Sequence, residues 1–76
     1  MIKYYLDLEY FSKLKGAYIS YKLGAYNGLY FNTLEEASDY AKRNLFLISD
    51  NEVLSLYRVY NGEHAYITFF TPKLLY

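Results

Sequence analysis

The stretch Val53-Leu54-Ser55-Leu56-Tyr57-Arg58-Val59-Tyr60-Asn61-Gly62-Glu63-His64-Ala65-Tyr66-Ile67-Thr68-Phe69-Phe70-Thr71 reads as two strands, Val53 to Tyr60 and Glu63 to Thr71, around a two-residue turn. Asn-Gly accepts the positive φ that a type I′ turn needs at both central positions, and the flanks are rich in β-branched and aromatic residues. Strict alternation then sets the register: Tyr60 faces Glu63, Arg58 faces Ala65, Leu56 faces Ile67 and Leu54 faces Phe69. That side of the hairpin is strongly apolar. The other side carries Val53, Ser55, Tyr57 and Val59 against His64, Tyr66, Thr68 and Phe70. Pro72 has no N–H to give to a ladder and ends the second strand, leaving Lys73-Leu74-Leu75-Tyr76 as an apolar tail, docked or used for contact.

Upstream of this hairpin the hydrophobic period changes. Ser49-Asp50-Asn51-Glu52 is a turn, and before it Leu34, Ala37, Ala41 and Leu45, with Tyr40 alongside, recur at helical spacing. Thr33-Leu34-Glu35-Glu36 is a capping box in which Thr33 and Glu36 satisfy each other's free backbone donors, so a helix starts at Thr33. Glu35, Glu36 and Asp39 lie toward its positive end and Lys42 and Arg43 toward its negative end, as the helix dipole favours. Asn44 fits a left-handed C-cap. Leu45 to Ile48 is a short buried strand or the helix end, two cases that periodicity does not separate.

The first third of the chain returns to a period of two. From Ile2 to Phe11, Ile2, Tyr4, Leu6, Leu8 and Tyr10 alternate with Lys3, Tyr5, Asp7, Glu9 and Phe11. Ser12-Lys13-Leu14-Lys15-Gly16 turns the chain, and Ala17 to Tyr26 resumes with Ile19, Tyr21 and Leu23 on one side. A second Asn-Gly pair, Asn27-Gly28, predicts a hairpin into Leu29 to Phe31. Its strict register sets Leu29 and Phe31 opposite to Ile19 and Leu23, so a bulge at Gly24-Ala25 is expected to reunite them. The expected fold is α+β, one domain spanning residues 1–76: an antiparallel sheet of four to five strands with one helix packed on one face, in the order ββ(β)α(β)ββ.

Composition bounds what such a fold does. Seventy-six residues give a thin stability margin, which disulfides, metals or self-association ordinarily widen. The chain has no cysteine, which removes disulfides and thiolate metal sites and fits a reducing, cytoplasmic setting. The N-terminal residues read as a start methionine without a signal peptide, because Asp7 interrupts any apolar run. Eight basic and eight acidic residues cancel, so no global field holds a polyanion or a membrane. Phe, Tyr, Met, Ile, Asn and Lys total 33 against 12 for Gly, Ala, Arg and Pro, which implies AT-rich coding and suits a low-GC bacterium or its phage.

Catalytic chemistry finds no constellation. His64 is the single histidine, no serine stands in a nucleophile elbow, and the acidic residues Glu35, Glu36 and Asp39 are explained by the helix dipole. Asp50 and Glu52 lack the ligand series of a calcium loop, and the four glycines are scattered over turns instead of cradling a phosphate. The expectation is therefore no enzyme, no metal and no cofactor.

Twelve tyrosines and five phenylalanines are the remaining signal. One helix covers one face of a sheet, while aromatic or branched residues occupy both, and an uncovered apolar patch of several hundred Å² ordinarily marks an interaction site. Tyr57, Val59, His64, Tyr66 and Phe70 form that expected protein-binding patch. The matching function is a small non-enzymatic protein-binding module, homodimeric, of the kind with which a phage or mobile element inhibits a host enzyme or defence complex. Two rivals are a single-strand nucleic-acid binder, with Lys13, Lys15 and Lys22 around a Tyr18 stacking platform, and a nucleotide held between tyrosines at a dimer seam.

Overall fold

The computed structural model describes residues 1–75, with side chains through Lys73. Four strands, β1 (Lys3–Ser12), β2 (Ala17–Ser20), β3 (Glu52–Tyr60) and β4 (Glu63–Phe70), form one antiparallel sheet in the order β2-β1-β3-β4, and α1 spans Leu34–Asn44. The architecture is α+β. Among the described residues no helix is long and apolar enough to cross a membrane.

The long alternating segment β1 holds the sheet together, because it pairs with β2 through a local turn and with β3 across forty residues of chain. Its register places Leu6 opposite Leu56 and Leu8 opposite Leu54. Leu6, Leu54 and Leu56 therefore share one side, and with Ala37, Ala41, Leu45 and Phe70 they make the buried core, bordered by Tyr4, Leu8, Tyr26, Phe31, Tyr40 and Ile48. The small residues Ala37 and Ala41 at i, i+4 let the helix approach closely. Burying one leucine-sized side chain contributes roughly 1.5–3 kcal/mol.

The Thr33 hydroxyl accepts the Glu36 N–H at 3.1 Å, as the capping motif predicts. The Glu36 carboxylate takes the Thr33 hydroxyl itself at 3.0 Å, in place of the backbone N–H expected for a reciprocal box. At the other end Asn44 has φ −104° and is not left-handed. Its side-chain amide donates to the Tyr40 carbonyl at 2.7 Å, and the chain tightens into a 3₁₀ turn, Leu45–Leu47, that puts Leu45 in the core. Leu45 to Ile48 is thus no strand.

Three expectations about the sheet are corrected. The second strand stops at Ser20 instead of Tyr26, because Lys22 and Gly24 take φ of 59° and 80° and lead the chain off the sheet, leaving no ladder for a bulge at Gly24-Ala25. Asn27 and Gly28 do adopt φ of 55° and 69°, and Leu29 N–H returns to the Tyr26 carbonyl at 3.2 Å. The flanks of this turn do not pair with each other; Phe31 instead exchanges both backbone bonds with Tyr4, at 2.8 and 2.9 Å, as one isolated bridge. No fifth strand forms among the described residues.

The third correction lies in the hairpin that anchors the fold. Tyr60 faces Glu63 and Arg58 faces Ala65 as expected, but the register shifts between Tyr57 and Leu56, so that Leu56 faces Thr68 and Leu54 faces Phe70. Ile67 is the extra residue of a β-bulge. One inserted residue exchanges the sides of everything beyond it, so Phe70 is 7% exposed in the core while Phe69 is 47% exposed on the opposite side. Of the tail, Pro72–Leu75 forms a 3₁₀ turn, and the side chains of Leu74 and Leu75 and all of Tyr76 lie outside the described residues.

Candidate binding face

The side of the sheet away from the core is built from the other half of each strand's alternation: Lys3, Tyr5, Asp7, Glu9 and Phe11 of β1 beside Val59, Tyr57, Ser55 and Val53 of β3. β2 adds Tyr18 and Ser20, and β4 adds His64, Tyr66 and, past the bulge, Phe69. In a flat sheet the two outer strands stand roughly 14 Å apart, three strand spacings. The ring centroids of Tyr18 on β2 and Phe69 on β4 are 6.3 Å apart. The sheet curls toward this side and its edges lean together, with Phe11 edge-on to Tyr18 at 5.3 Å. Val53 and Ser55 on this side are 1% and 2% exposed. The chain thus covers part of the face that the count of one helix left bare.

The floor of the curl is polar. Asp7 and Glu9 follow one another on this side of β1. Ser55 donates to Glu9 Oε1 at 2.8 Å, Tyr57 donates to Glu9 Oε2 at 3.1 Å, and Ser20 donates to Asp7 Oδ1 at 3.1 Å. Burial raises the Asp7 pKa above the ordinary carboxylate range, and its neighbour Glu9 adds to the shift against the opposing Ser20 bond. The Tyr57 phenol is pushed up to about 12, by burial first and then by the Glu9 charge and hydrogen bond. Among the described residues the protein's donors to these two carboxylates are hydroxyls, with no ion pair to either.

Beyond the floor stands a second cluster of rings. Tyr5 stacks on Tyr57 at 5.4 Å and 14°, meets Tyr30 at 5.6 Å and the His64 ring edge-on at 5.6 Å, and its hydroxyl lies 2.7 Å from His64 Nδ1. Burial, then Asp7, raises the Tyr5 pKa. Tyr66 packs edge-on to Tyr57 at 5.8 Å and is 55% exposed. Next to this cluster a cavity of about 290 Å³ opens between Tyr5, Asp7, Lys22, Tyr30 and His64. That is at the small end of ligand pockets.

Of the five residues expected to form the patch, Tyr57, Val59, His64 and Tyr66 share this side, with Tyr57 and Val59 half-buried and His64 and Tyr66 exposed. Phe70 does not join them: the bulge sends it to the core and brings Phe69 here instead. Tyr5, Asp7, Glu9, Phe11, Tyr18 and Phe69 complete the face without having been assigned to the patch. The alternation of β1 already grouped Tyr5, Asp7, Glu9 and Phe11, and the missing signal was the β1–β3 register, which depends on residues far apart in sequence. The basic set of the nucleic-acid reading is divided: Lys13 and Lys15 stand at the β1–β2 turn, whereas Lys22 lies beyond Ser20, which faces Glu9 midway along β1. Tyr18 touches Phe11 and Phe69 and is 45% exposed.

No protein-family model matches this chain, and neither curated proteins nor solved structures show a match to it.

Proposed function

We propose that the chain is a small non-enzymatic protein-binding module that engages its partner through the curled face and acts by occupancy, as a phage or mobile-element inhibitor of a host enzyme or defence complex does. The observation that carries this reading is the arrangement of exposed rings, Tyr18, Tyr66 and Phe69, around a floor of two carboxylates supplied with hydroxyl donors alone. Rigid aromatic rings bury large area at low entropic cost and dominate protein interfaces. A half-buried floor of two carboxylates, with Lys22 near Asp7 as the cation that opposes its shift, favours a partner that brings a further basic side chain, since an arginine both stacks on tyrosine and bonds carboxylates in a fork.

The test is an affinity pull-down from the native host read by mass spectrometry, with wild type beside Tyr66→Ala/Phe69→Ala and Asp7→Asn/Glu9→Gln. Both variants should lose the same captured protein while keeping the wild-type circular dichroism spectrum. Equal capture by folded variants and wild type would sink the assignment of this face.

A further inference from the structure

The two edges of the sheet are treated differently. An edge strand exposes unpaired N–H and C=O groups, and proteins guard such edges with short strands, lysines, prolines or covering chain. The β2 edge has these guards: it is four residues long, Lys13, Lys15 and Lys22 flank it, and Phe31 occupies the rest of that side of β1 through its bonds to Tyr4. The β4 edge has eight residues, Glu63-His64-Ala65-Tyr66-Ile67-Thr68-Phe69-Phe70, with neither lysine nor proline among them. Among the described residues no backbone hydrogen bond reaches its outer side.

We infer that the β4 edge pairs with β4 of a second copy of this chain, antiparallel about a two-fold axis, joining two sheets into one. The backbone directions carry the argument. Tyr4 gives both its bonds to Phe31, so the odd-numbered residues of β1 point toward β3, and their partners Tyr57 and Ser55 point back toward β1. The alternate residues Leu54, Leu56, Arg58 and Tyr60 then point toward β4. Their partners Phe70, Thr68, Ala65 and Glu63 are occupied, and His64, Tyr66 and Phe69 turn their N–H and C=O groups outward.

A symmetric pairing must set outward groups against outward groups and keep facing side chains on one side of the sheet. The bulge makes this hold for the pairs on either side of it, while Tyr66 and Ile67 at the axis stand outside the regular ladder between the two copies. Placing the axis between Tyr66 and Ile67 sets His64 opposite Phe69 of the second copy, with outward backbone on both and both on the curled face. It sets Ala65 opposite Thr68 and Glu63 opposite Phe70, all on the core side. In an edge strand a bulge ordinarily hinders pairing, but here it sits at the strand's centre, on the axis, and the same pairs repeat on each side of it. Glu63 and His64, the acidic and basic residues of β4, fall at opposite ends of the antiparallel ladder, so no like charges meet. The contact is isologous, as a two-fold dimer requires, and it does not depend on what occupies the curled face.

Sedimentation analysis should give twice the 9.1 kDa chain mass for wild type. Ile67→Lys, which sets two lysines beside the axis, should halve that mass, while Leu14→Lys at the exposed β1–β2 turn should not change it. Because the chain has no cysteine, Ala65→Cys/Thr68→Cys tests the register directly: facing non-hydrogen-bonded residues have close Cβ atoms, whereas these two positions within one strand are too far apart to bridge. Oxidation should yield a covalent dimer from the double variant and none from Ala65→Cys alone. A wild type that sediments at the mass of one chain, or a dimer that crosslinks equally well with Ala65→Cys alone, would overturn the inference.

Discussion

The two sides of this sheet are made by the same strands and closed by different means. On one side Leu6, Leu54, Leu56 and Phe70 meet Ala37, Ala41 and Leu45, all apolar, so that closure is the ordinary burial of hydrocarbon against a helix. On the other, Val53 and Ser55 are buried just as deeply although no second α-helix lies among the described residues; curvature brings the rings of Phe11, Tyr18 and Phe69 together on that side. A side closed by curvature keeps an open rim. It tolerates Asp7 and Glu9 because hydroxyls on the neighbouring strands reach them. The core side therefore carries the larger apolar burial, and the curled side is where the proposed recognition would fall.

The sharpest way to break this contrast is at the bulge, where adjacent phenylalanines go to opposite sides. Phe70→Ala should cost about 3–5 kcal/mol, the usual loss for a buried aromatic. A domain of this size has roughly 4–11 kcal/mol in total, so the variant should be barely folded. Phe69→Ala should cost about 1 kcal/mol, the worth of its ring contact with Tyr18. Urea denaturation of the two variants measures both. The reverse order would mean that the hairpin runs in strict alternation without the extra residue Ile67.

Next in size is the floor. Glu9→Ala removes the acceptor for both Ser55 and Tyr57, and Ser55 has no access to water, so a loss of about 1–3 kcal/mol is expected. Glu9→Gln keeps an acceptor oxygen and should lose less. Phenolate absorbance supplies a reading independent of stability. With the Glu9 charge gone, the Tyr57 pKa should fall from about 12 toward the ordinary value, retaining only the part due to burial and its other neighbours. An unchanged Tyr57 titration in Glu9→Ala would disconnect the floor from the rings.

The same contrast separates what was legible in the sequence from what was not. The helix announced itself through period, cap and charge, and β1 and the last hairpin through alternation, since those signals act within one segment. The bulge had no such signal: Tyr66-Ile67-Thr68 is good strand sequence on either side of the insertion, and the burial of Phe70 in place of Phe69 is decided by packing across the sheet. The two Asn-Gly pairs make the same point. Both positions take positive φ at Asn27-Gly28 and at Asn61-Gly62, yet only the second joins paired strands, because Phe31 finds a better partner in Tyr4 than the departing segment after Ser20 offers. A turn signal specifies a turn, and tertiary contacts decide what it connects. Tyr57, Val59, His64 and Tyr66 could be grouped from one hairpin, whereas Tyr5, Asp7 and Glu9 joined them only through a pairing between distant parts of the chain.

The smallest expected effect lies in the pH dependence of the floor. Asp7 has a folded pKa raised above its unfolded value, chiefly by burial and then by Glu9, so the folded state holds this proton more tightly than the unfolded state. Stability from this group is then full below the ordinary aspartate range and is lost as pH rises through the raised pKa. Lys22 opposes the shift, and Tyr5 and Tyr57, whose own pKa values Asp7 helps to raise, face it across the same side. Asp7→Asn removes the charge while keeping an acceptor for Ser20. The variant should match wild type in urea below the aspartate range and become slightly more stable than wild type at neutral pH, by a margin that solvent screening of a half-buried group keeps small. Leu6→Val removes core hydrocarbon and no titratable group, so it should lower stability at every pH and leave the shape of the pH profile unchanged. If Asp7→Asn is less stable than wild type at neutral pH, the Ser20 bond and Lys22 outweigh burial and Glu9, and the uncompensated anionic character assigned to the curled face falls with it.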